Sequence, residues 1–149
     1  MNQVRPWLYI GKYRETTDVS LLTTHSINAM LQFAERVEQP NITSLYLPID
    51  DGVPLKTHYL RQGVDFIIES HSKNANILVA CGAGISRSSS FAIAALKEIE
   101  DIPLFDAFTE VKRKHPQTMP HLYLWRSLCD YYGEQTRYHA VLSWKGREQ

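Results

Sequence analysis

The sequence predicts an α/β fold in which a central, largely parallel twisted sheet is flanked by helices. With 149 residues, the chain has the size of one domain with a single core. Short runs rich in β-forming residues alternate with segments of helical periodicity, a pattern typical of a sheet with helices on its faces. No internal repeat divides the chain. We therefore expect one domain over residues 1–133 and a polar tail over residues 134–149 that holds a short helix.

The first half of the chain predicts three strands and two helices. Asp18 is a candidate cap of a short helix, and apolar residues at helical spacing predict an amphipathic helix over residues 55–70. The first strand is expected to end at Gly11. The predicted strands are residues 7–10, 29–33 and 44–47.

The second half predicts one strand and three helices. Residues 77–80 form a short apolar strand, followed by a turn and by residues 88–99, which are apolar on nearly every side. Such a helix is typically buried against a sheet. Pro103 and Pro120 begin two further helices. Cys129 lies on the apolar stripe of the last one and is interpreted as a core residue.

The turn between the predicted strand and the buried helix has the sequence CGAGISR, residues 81–87. Glycines let successive backbone N–H groups point into one concavity, and the following helix adds its unsatisfied N-terminal amides. The turn is therefore predicted to be a cradle for an anion. Its candidate ligand-binding residues are Gly82, Ala83, Gly84, Ile85, Ser86 and Arg87.

Three side chains in or beside this turn can carry chemistry. An electropositive setting favours the thiolate form of Cys81, which makes it a candidate nucleophile. The planar guanidinium of Arg87 matches two oxygens of a phosphoryl group. Ser88 can stabilise the thiolate when it leaves a covalent intermediate, and it can also cap the helix, since the two roles are compatible. The alternative is a buried structural cysteine with Arg87 as a surface charge, and the coincidence of strand, glycines, arginine, serine and helix argues against it.

The segment CGAGISRS resembles the phosphate loop of the cysteine-dependent protein tyrosine phosphatases, specifically of the dual-specificity branch. The resemblance implies that residues 1–133 form a catalytic domain of that type, and it covers most of the chain. The similar segments are residues 4–11 at the first strand, 21–33 at the first helix and second strand, 47–51 at the general acid, 59–68 at the next helix and 116–128 at the closing helix.

The resemblance implies roles for individual residues. The thiolate of Cys81 attacks phosphorus, Arg87 holds the phosphate, and backbone amides of residues 82–87 line the loop. An aspartic acid protonates the leaving oxygen and then activates water to hydrolyse the cysteinyl phosphate. Its spacing from the preceding proline selects Asp51, whereas counting back from the following helix selects Asp50; we prefer Asp51. The chemistry requires no metal and no other cofactor.

Two positions depart from the family pattern. Ala80 replaces the histidine that normally precedes the nucleophile, and His121 replaces an asparagine that often braces the loop. These departures predict slower turnover and a less rigid loop, and they motivate an alternative: a catalytically weak or inactive pseudophosphatase that only binds phosphate groups. Cys81 and Arg87 favour the enzyme. A third interpretation, a rhodanese-like sulfur transferase, is disfavoured by the matching flanks.

Composition and the resemblance together limit the substrates and partners. The resemblance implies a shallow cleft that accepts phosphoserine and phosphothreonine as well as phosphotyrosine on a protein, and phosphate or other oxyanions in the loop. Formal net charge is zero and the loop lacks lysine, so nucleic acid, membranes and phosphoinositides are not expected partners.

The six histidines show no metal-ligand spacing and are interpreted as surface or capping residues. Two dissimilar cysteines and no apolar leader indicate a cytoplasmic protein, which we expect to be a monomer.

Overall fold

A single five-stranded sheet forms the centre of the protein. In a computed structural model, which describes residues 1–146, its strands are β1 (Asn2–Arg5), β2 (Leu8–Lys12), β3 (Ala29–Gln32), β4 (Thr43–Tyr46) and β5 (Ile77–Cys81). The strand order is β1, β2, β5, β3, β4. All neighbouring strands are parallel except β1 and β2. The predicted central, largely parallel sheet is confirmed.

Helices cover both faces of this sheet. They are α1 (Tyr13–Thr16), α2 (Val19–Thr24), α3 (Thr57–Ser72), α4 (Arg87–Glu100), α5 (Leu104–Lys114), α6 (Leu122–Tyr132) and α7 (Tyr138–Ser143). Helix α4 packs between α3, α5 and α6 and against β5, which explains why nearly all of its surface is apolar. Within residues 1–146, no helix is both long enough and apolar enough to cross a membrane.

Side-chain alternation along β5 decides which face of the sheet carries the reactive cysteine. Val79 and Cys81 point into the large core shared with α3, α4, α5 and α6. Leu78 and Ala80 point to the opposite face, where they pack with Leu22 and its neighbours in a smaller apolar cluster. Because successive strand residues face opposite sides, Cys81 emerges beneath the start of α4 and Ala80 faces away from it.

Two short elements at the start of the chain were not predicted, and one predicted boundary was wrong. Strand β1 and helix α1 have four residues each, too few for a periodic pattern to show. Strand β2 continues through Gly11 to Lys12. A Cβ on Gly11 would lie 2.9 Å from Glu15 Oε1 and 3.0 Å from Leu78 Cδ1, so glycine is needed here for close packing and does not end the strand.

The tail folds back onto the domain. Gly133 ends α6 in the left-handed conformation, with a φ of 66°. Helix α7 follows within the predicted tail; its Val141 is fully buried, and Trp144 packs against the large core. Cys129 also lies in that core, 4 % exposed, as its position on the apolar stripe predicts. Residues 147–149 of the predicted tail lie outside the described residues.

Packing between α3 and α4 depends on a residue without a side chain. A Cβ on Gly63 would lie 2.4 Å from Phe91 Cε2, and the Phe91 ring is fully buried against Phe33, with ring centroids 4.6 Å apart. Higher helix propensity alone would make Gly63→Ala stabilising by about 0.5–1 kcal/mol. Overpacking costs about 1–3 kcal/mol, so we expect a net loss of about 1–2 kcal/mol in the free energy of unfolding.

Urea unfolding of the purified variants measures this loss. Gln62→Ala, at the exposed neighbouring position of the same helix, is the matched control, with an expected change within about 0.5 kcal/mol. A Gly63→Ala variant as stable as the wild type or more stable would show that the α3 and α4 contact is looser than described.

Candidate active site

The predicted anion loop lies at the carboxyl ends of the parallel strands, where open α/β sheets bind their ligands. Strand β5 ends at Cys81 and α4 begins at Arg87, so residues 82–86 connect the two. Gly84 has a φ of 69°, and a Cβ there would lie 2.9 Å from the backbone oxygen of Gly11. Only glycine satisfies both the left-handed conformation and this close approach, so the loop is pressed against the end of β2.

The sulfur of Cys81 is buried at the base of the loop and is contacted by the first turn of α4. Its Sγ lies 3.1 Å from Ser88 Oγ, and the backbone N–H of Ser88 donates to it at 3.5 Å. Cys81 is 3 % exposed and Ser88 is fully buried. Hydrogen bonds donated to an anion stabilise it, so this arrangement suits a thiolate. The second predicted role, in which Ser88 also caps α4, is wrong, because the helix begins one residue before it and Ser86 occupies the cap position.

The guanidinium of Arg87 is oriented by backbone carbonyls from two neighbouring segments. Its Nη1 donates to the carbonyl oxygen of Ile49 at 2.9 Å and to that of Phe33 at 3.3 Å. Its Nη2 lies 3.5 Å from where a Cβ on Gly82 would be, which places the group over the loop. Within residues 1–146, Nε and Nη2 donate to no protein atom, so two donors remain for a bidentate ligand.

Asp51 reaches the loop through Ser86. The Ser86 hydroxyl donates to Asp51 Oδ1 at 2.8 Å and accepts the backbone N–H of His121, also at 2.8 Å. One hydroxyl therefore joins the segment before α3, the loop and the start of α6. Asp51 lines the same cleft as Cys81, whereas Asp50 is not among the residues that line it.

The cleft above the sulfur has a volume of about 260 Å³. Of the candidate residues, Gly82 and Gly84 shape the loop backbone and Ser88 lies behind the sulfur; the others line the cleft. Met119 and Tyr138 also line it, and neither was singled out from the sequence, because both come from segments far away along the chain. The lining residues are Asp51, Cys81, Ala83, Ile85, Ser86, Arg87, Met119, His121 and Tyr138.

His121 braces the loop through its backbone and not through its ring. Its ring Nδ1 accepts the backbone N–H of Tyr123 at 3.2 Å and so caps α6, while its own backbone N–H bonds to Ser86 Oγ. The backbone N–H of Met119 adds a second link, to the carbonyl oxygen of Ile85 at 3.0 Å. The loop is therefore braced at this position although asparagine is absent.

A third brace comes from His115, for which the sequence predicts a surface or capping position; it occupies the C-cap of α5, but it is buried. His115 is 5 % exposed, and its Nε2 lies 2.6 Å from the carbonyl oxygen of Gly84. A carbonyl only accepts, so Nε2 carries the hydrogen, and Nδ1 accepts the side-chain amide N–H of Asn2 at 2.8 Å. Burial lowers the pKa of His115, and the bond to Gly84 opposes this in part. The neutral ring thus links β1 to the loop.

Protonation of His115 is expected to weaken the fold. Its folded-state pKa is lowered from 6.5, so the unfolded chain binds more protons between the two values, and stability falls as the pH falls through that window. His115→Gln keeps an N–H donor near the Nε2 position and does not titrate. We expect the free energy of unfolding to fall less in this variant than in the wild type between about pH 7.5 and pH 5.5.

Urea unfolding at several pH values checks this expectation. His139→Gln, at an exposed position in α7, should retain the pH dependence of the wild type. Equal pH dependence in His115→Gln and the wild type would mean that His115 does not act as a buried neutral brace.

A buried cysteine in a glycine-containing loop, an arginine above it and an aspartate across the cleft define the class of cysteine-dependent phosphatases. Comparison with known proteins agrees: the family described as the dual specificity phosphatase catalytic domain matches residues 8–134. The chain therefore belongs to the dual specificity phosphatase family, within the protein tyrosine phosphatase superfamily.

Individual relatives show the same relationship. The chain is 31 % identical over 134 residues to human dual specificity protein phosphatase 16, covering 87 % of this chain but only 20 % of that protein. The crystal structure of DUSP15 superimposes with a TM-score of 0.81 at 26 % identity, covering 88 % of this chain and 86 % of that one. The crystal structure of a mouse putative dual specificity phosphatase complexed with zinc tungstate superimposes with a TM-score of 0.81 at 25 % identity, covering 87 % of this chain and 84 % of that one.

Proposed function

We propose that this protein is a dual-specificity protein phosphatase, which hydrolyses phosphotyrosine and phosphoserine or phosphothreonine through a cysteinyl-phosphate intermediate. Membership of the family implies a phosphoric monoester hydrolase acting on phosphorylated substrates. The observation that carries the finer proposal is the convergence of Cys81, Arg87 and Asp51 on one cleft. A nucleophile, an anion clamp and a proton donor are the three groups that a phosphoryl transfer of this kind requires.

In the first step, the phosphoryl group of the substrate occupies the loop. Backbone N–H groups of residues 82–87 and the free Nε and Nη2 of Arg87 hold its oxygens. The sulfur of Cys81 attacks phosphorus as the bond from phosphorus to the leaving oxygen breaks. Asp51 donates its proton to that oxygen, which leaves as a neutral hydroxyl, and the phosphoryl group remains on sulfur.

In the second step, Asp51 acts as a base. Its carboxylate takes a proton from water, and the water oxygen attacks phosphorus as the bond to sulfur breaks. The electron pair of that bond returns to Cys81 as a thiolate, and phosphate is released. The Ser88 hydroxyl, 3.1 Å from the sulfur, donates to the thiolate as it forms. Ser86 holds Asp51 over the cleft in both steps.

Cleft size supports a phosphorylated side chain as the substrate. Its volume of about 260 Å³ lies just below the roughly 300–1,000 Å³ of pockets that enclose whole small ligands. A protein chain lying across the surface can present one phosphorylated side chain to such a site. The similar mouse phosphatase forms a complex with zinc tungstate, and tungstate is a tetrahedral oxyanion like phosphate, which supports the proposal that this chain binds such an anion. Because Cys81 and Cys129 are both free, we also propose a reducing, cytoplasmic setting. A monomeric enzyme is a separate part of the proposal.

A phosphate-binding protein without turnover is the alternative. It is favoured by Ala80, which supplies no imidazole next to the nucleophile. The methyl group of Ala80 packs on the opposite face of the sheet. We prefer the enzyme because the sulfur, the two free donors of Arg87 and the Asp51 carboxylate are all in place.

Hydrolysis of p-nitrophenyl phosphate separates these two functions. We expect the wild type to release p-nitrophenol and Cys81→Ser to lose about a thousandfold or more in kcat, because a serine hydroxyl at this position has no base to ionise it. Stabilisation of Cys81→Ser by tungstate in a thermal shift assay controls for an intact loop. Wild type that binds phosphopeptides without turning them over would establish the alternative.

The choice of general acid is tested by a matched pair of neighbouring variants. Asp51→Asn should lower kcat by about 10²- to 10⁴-fold with a phosphoserine peptide, whose alkoxide leaving group needs a proton. The loss should be smaller with p-nitrophenyl phosphate, because its phenolate leaves readily without one. Asp50→Asn, outside the cleft, should remain close to the wild type with both substrates. A larger loss in Asp50→Asn than in Asp51→Asn would reverse the assignment.

A further inference from the structure

A second depression adjoins the active cleft and shares one wall with it. It lies between α6 and the segment that leads into α7 and has a volume of about 430 Å³, larger than the cleft itself. Tyr138 lines both. We call this depression the flanking subsite; the residues that bear on its function are Trp125, Arg126, Asp130, Thr136, Arg137 and Tyr138.

The shared wall is held rigidly. The Tyr138 hydroxyl donates to the carbonyl oxygen of Pro120 at 2.7 Å, and the indole N–H of Trp125 donates to that of Thr136 at 3.0 Å. Tyr138 and Asp51 line the same cleft. Burial raises the pKa of the Tyr138 phenol, and the negative charge of Asp51 raises it further. A wall fixed in this way need not be ordered when substrate binds.

Charge in the flanking subsite is predominantly positive. Arg126 and Arg137 are exposed, and neither forms an ion pair with any residue in the described part of the chain, residues 1–146. Asp130 is the carboxylate in the lining, so the two guanidinium groups leave a net positive charge. Unpaired arginines beside an open depression are suited to binding carboxylates.

We propose that the flanking subsite binds an acidic side chain, aspartate or glutamate, one or two residues away from the phosphorylated residue of a protein substrate. This inference rests on the proposed phosphatase function. Two residues of extended chain span about 7 Å, enough to pass from the cleft over the single side chain of Tyr138. Arg137 and Tyr138 lie beyond residues 8–134, which the family shares, so this substrate preference is built in part by the chain's own C-terminal segment.

Paired phosphotyrosine peptides test the proposal. The two peptides are identical except that the residues one and two positions away on each side are glutamate in one and lysine in the other. We expect kcat/KM of the wild type to favour the glutamate peptide about fivefold at low salt, and the preference to fall in about 0.5 M salt. In the double variant Arg126→Gln and Arg137→Gln, the kcat/KM for the glutamate peptide divided by that for the lysine peptide should fall to a value between about 1 and about 2.

A matched control removes a positive charge elsewhere. Lys73 follows α3 at the opposite edge of the sheet, near the start of β5, so Lys73→Gln should retain the preference of the wild type. Equal kcat/KM of the wild type for both peptides would overturn the inference and leave the phosphatase function standing. A preference that survives unchanged in the double variant would do the same.

Failure of the phosphatase function gives a different result. If the wild type turns over neither peptide, the affinities of both for Cys81→Ser, measured by fluorescence anisotropy, report the preference directly. Tighter binding of the glutamate peptide, lost in the arginine double variant, then supports the flanking subsite although the protein is no enzyme. Equal affinities, or no binding of either peptide, overturn the inference.

Discussion

The turn from β5 into α4 imposes the geometry on which the rest of the site depends. Strand β5 is the central strand of the sheet, and α4 is the helix surrounded by α3, α5 and α6, so neither end of the turn can move independently. Gly84 presses the turn against the end of β2, where a side chain would collide with the backbone of Gly11. The protein thereby gathers backbone N–H groups and a helix N-terminus around one sulfur atom without any net charge on the chain.

Braces from distant segments hold this turn in place, and each uses a different chemical group. Ser86 links it to Asp51 and to the start of α6, and His115 links it to Asn2 on β1. The guanidinium of Arg87 is tied to the ends of the neighbouring strand segments by backbone carbonyls. Ala80 and His121 depart from the family pattern, yet hydrogen bonds from Ser86, His115 and the backbone of Met119 still secure the loop.

Family membership accounts for the core of the domain but not for the whole surface around the cleft. The shared region ends at residue 134, whereas α7 and the segment before it supply Tyr138 to the cleft wall. The chain spans only a fifth of the length of human dual specificity protein phosphatase 16, so the similarity between the two concerns one part of that protein. Features that distinguish this protein from its relatives are therefore expected where the C-terminal segment meets the cleft.

From the sequence alone, the α/β class, the buried α4 and the chemistry of residues 81–88 could be predicted, because strand, turn and helix are local patterns within about twenty residues. The sequence also favoured Asp51 over Asp50 and a role for Ser88 at the sulfur, and the structure places Asp51 in the cleft and Ser88 Oγ 3.1 Å from Cys81 Sγ. Only the tertiary structure placed His115 against the loop and Tyr138 in the cleft wall. Asp51 and Tyr138 line one cleft although they are 87 residues apart in the chain, and no local periodicity encodes which distant side chains meet when the sheet and its helices pack.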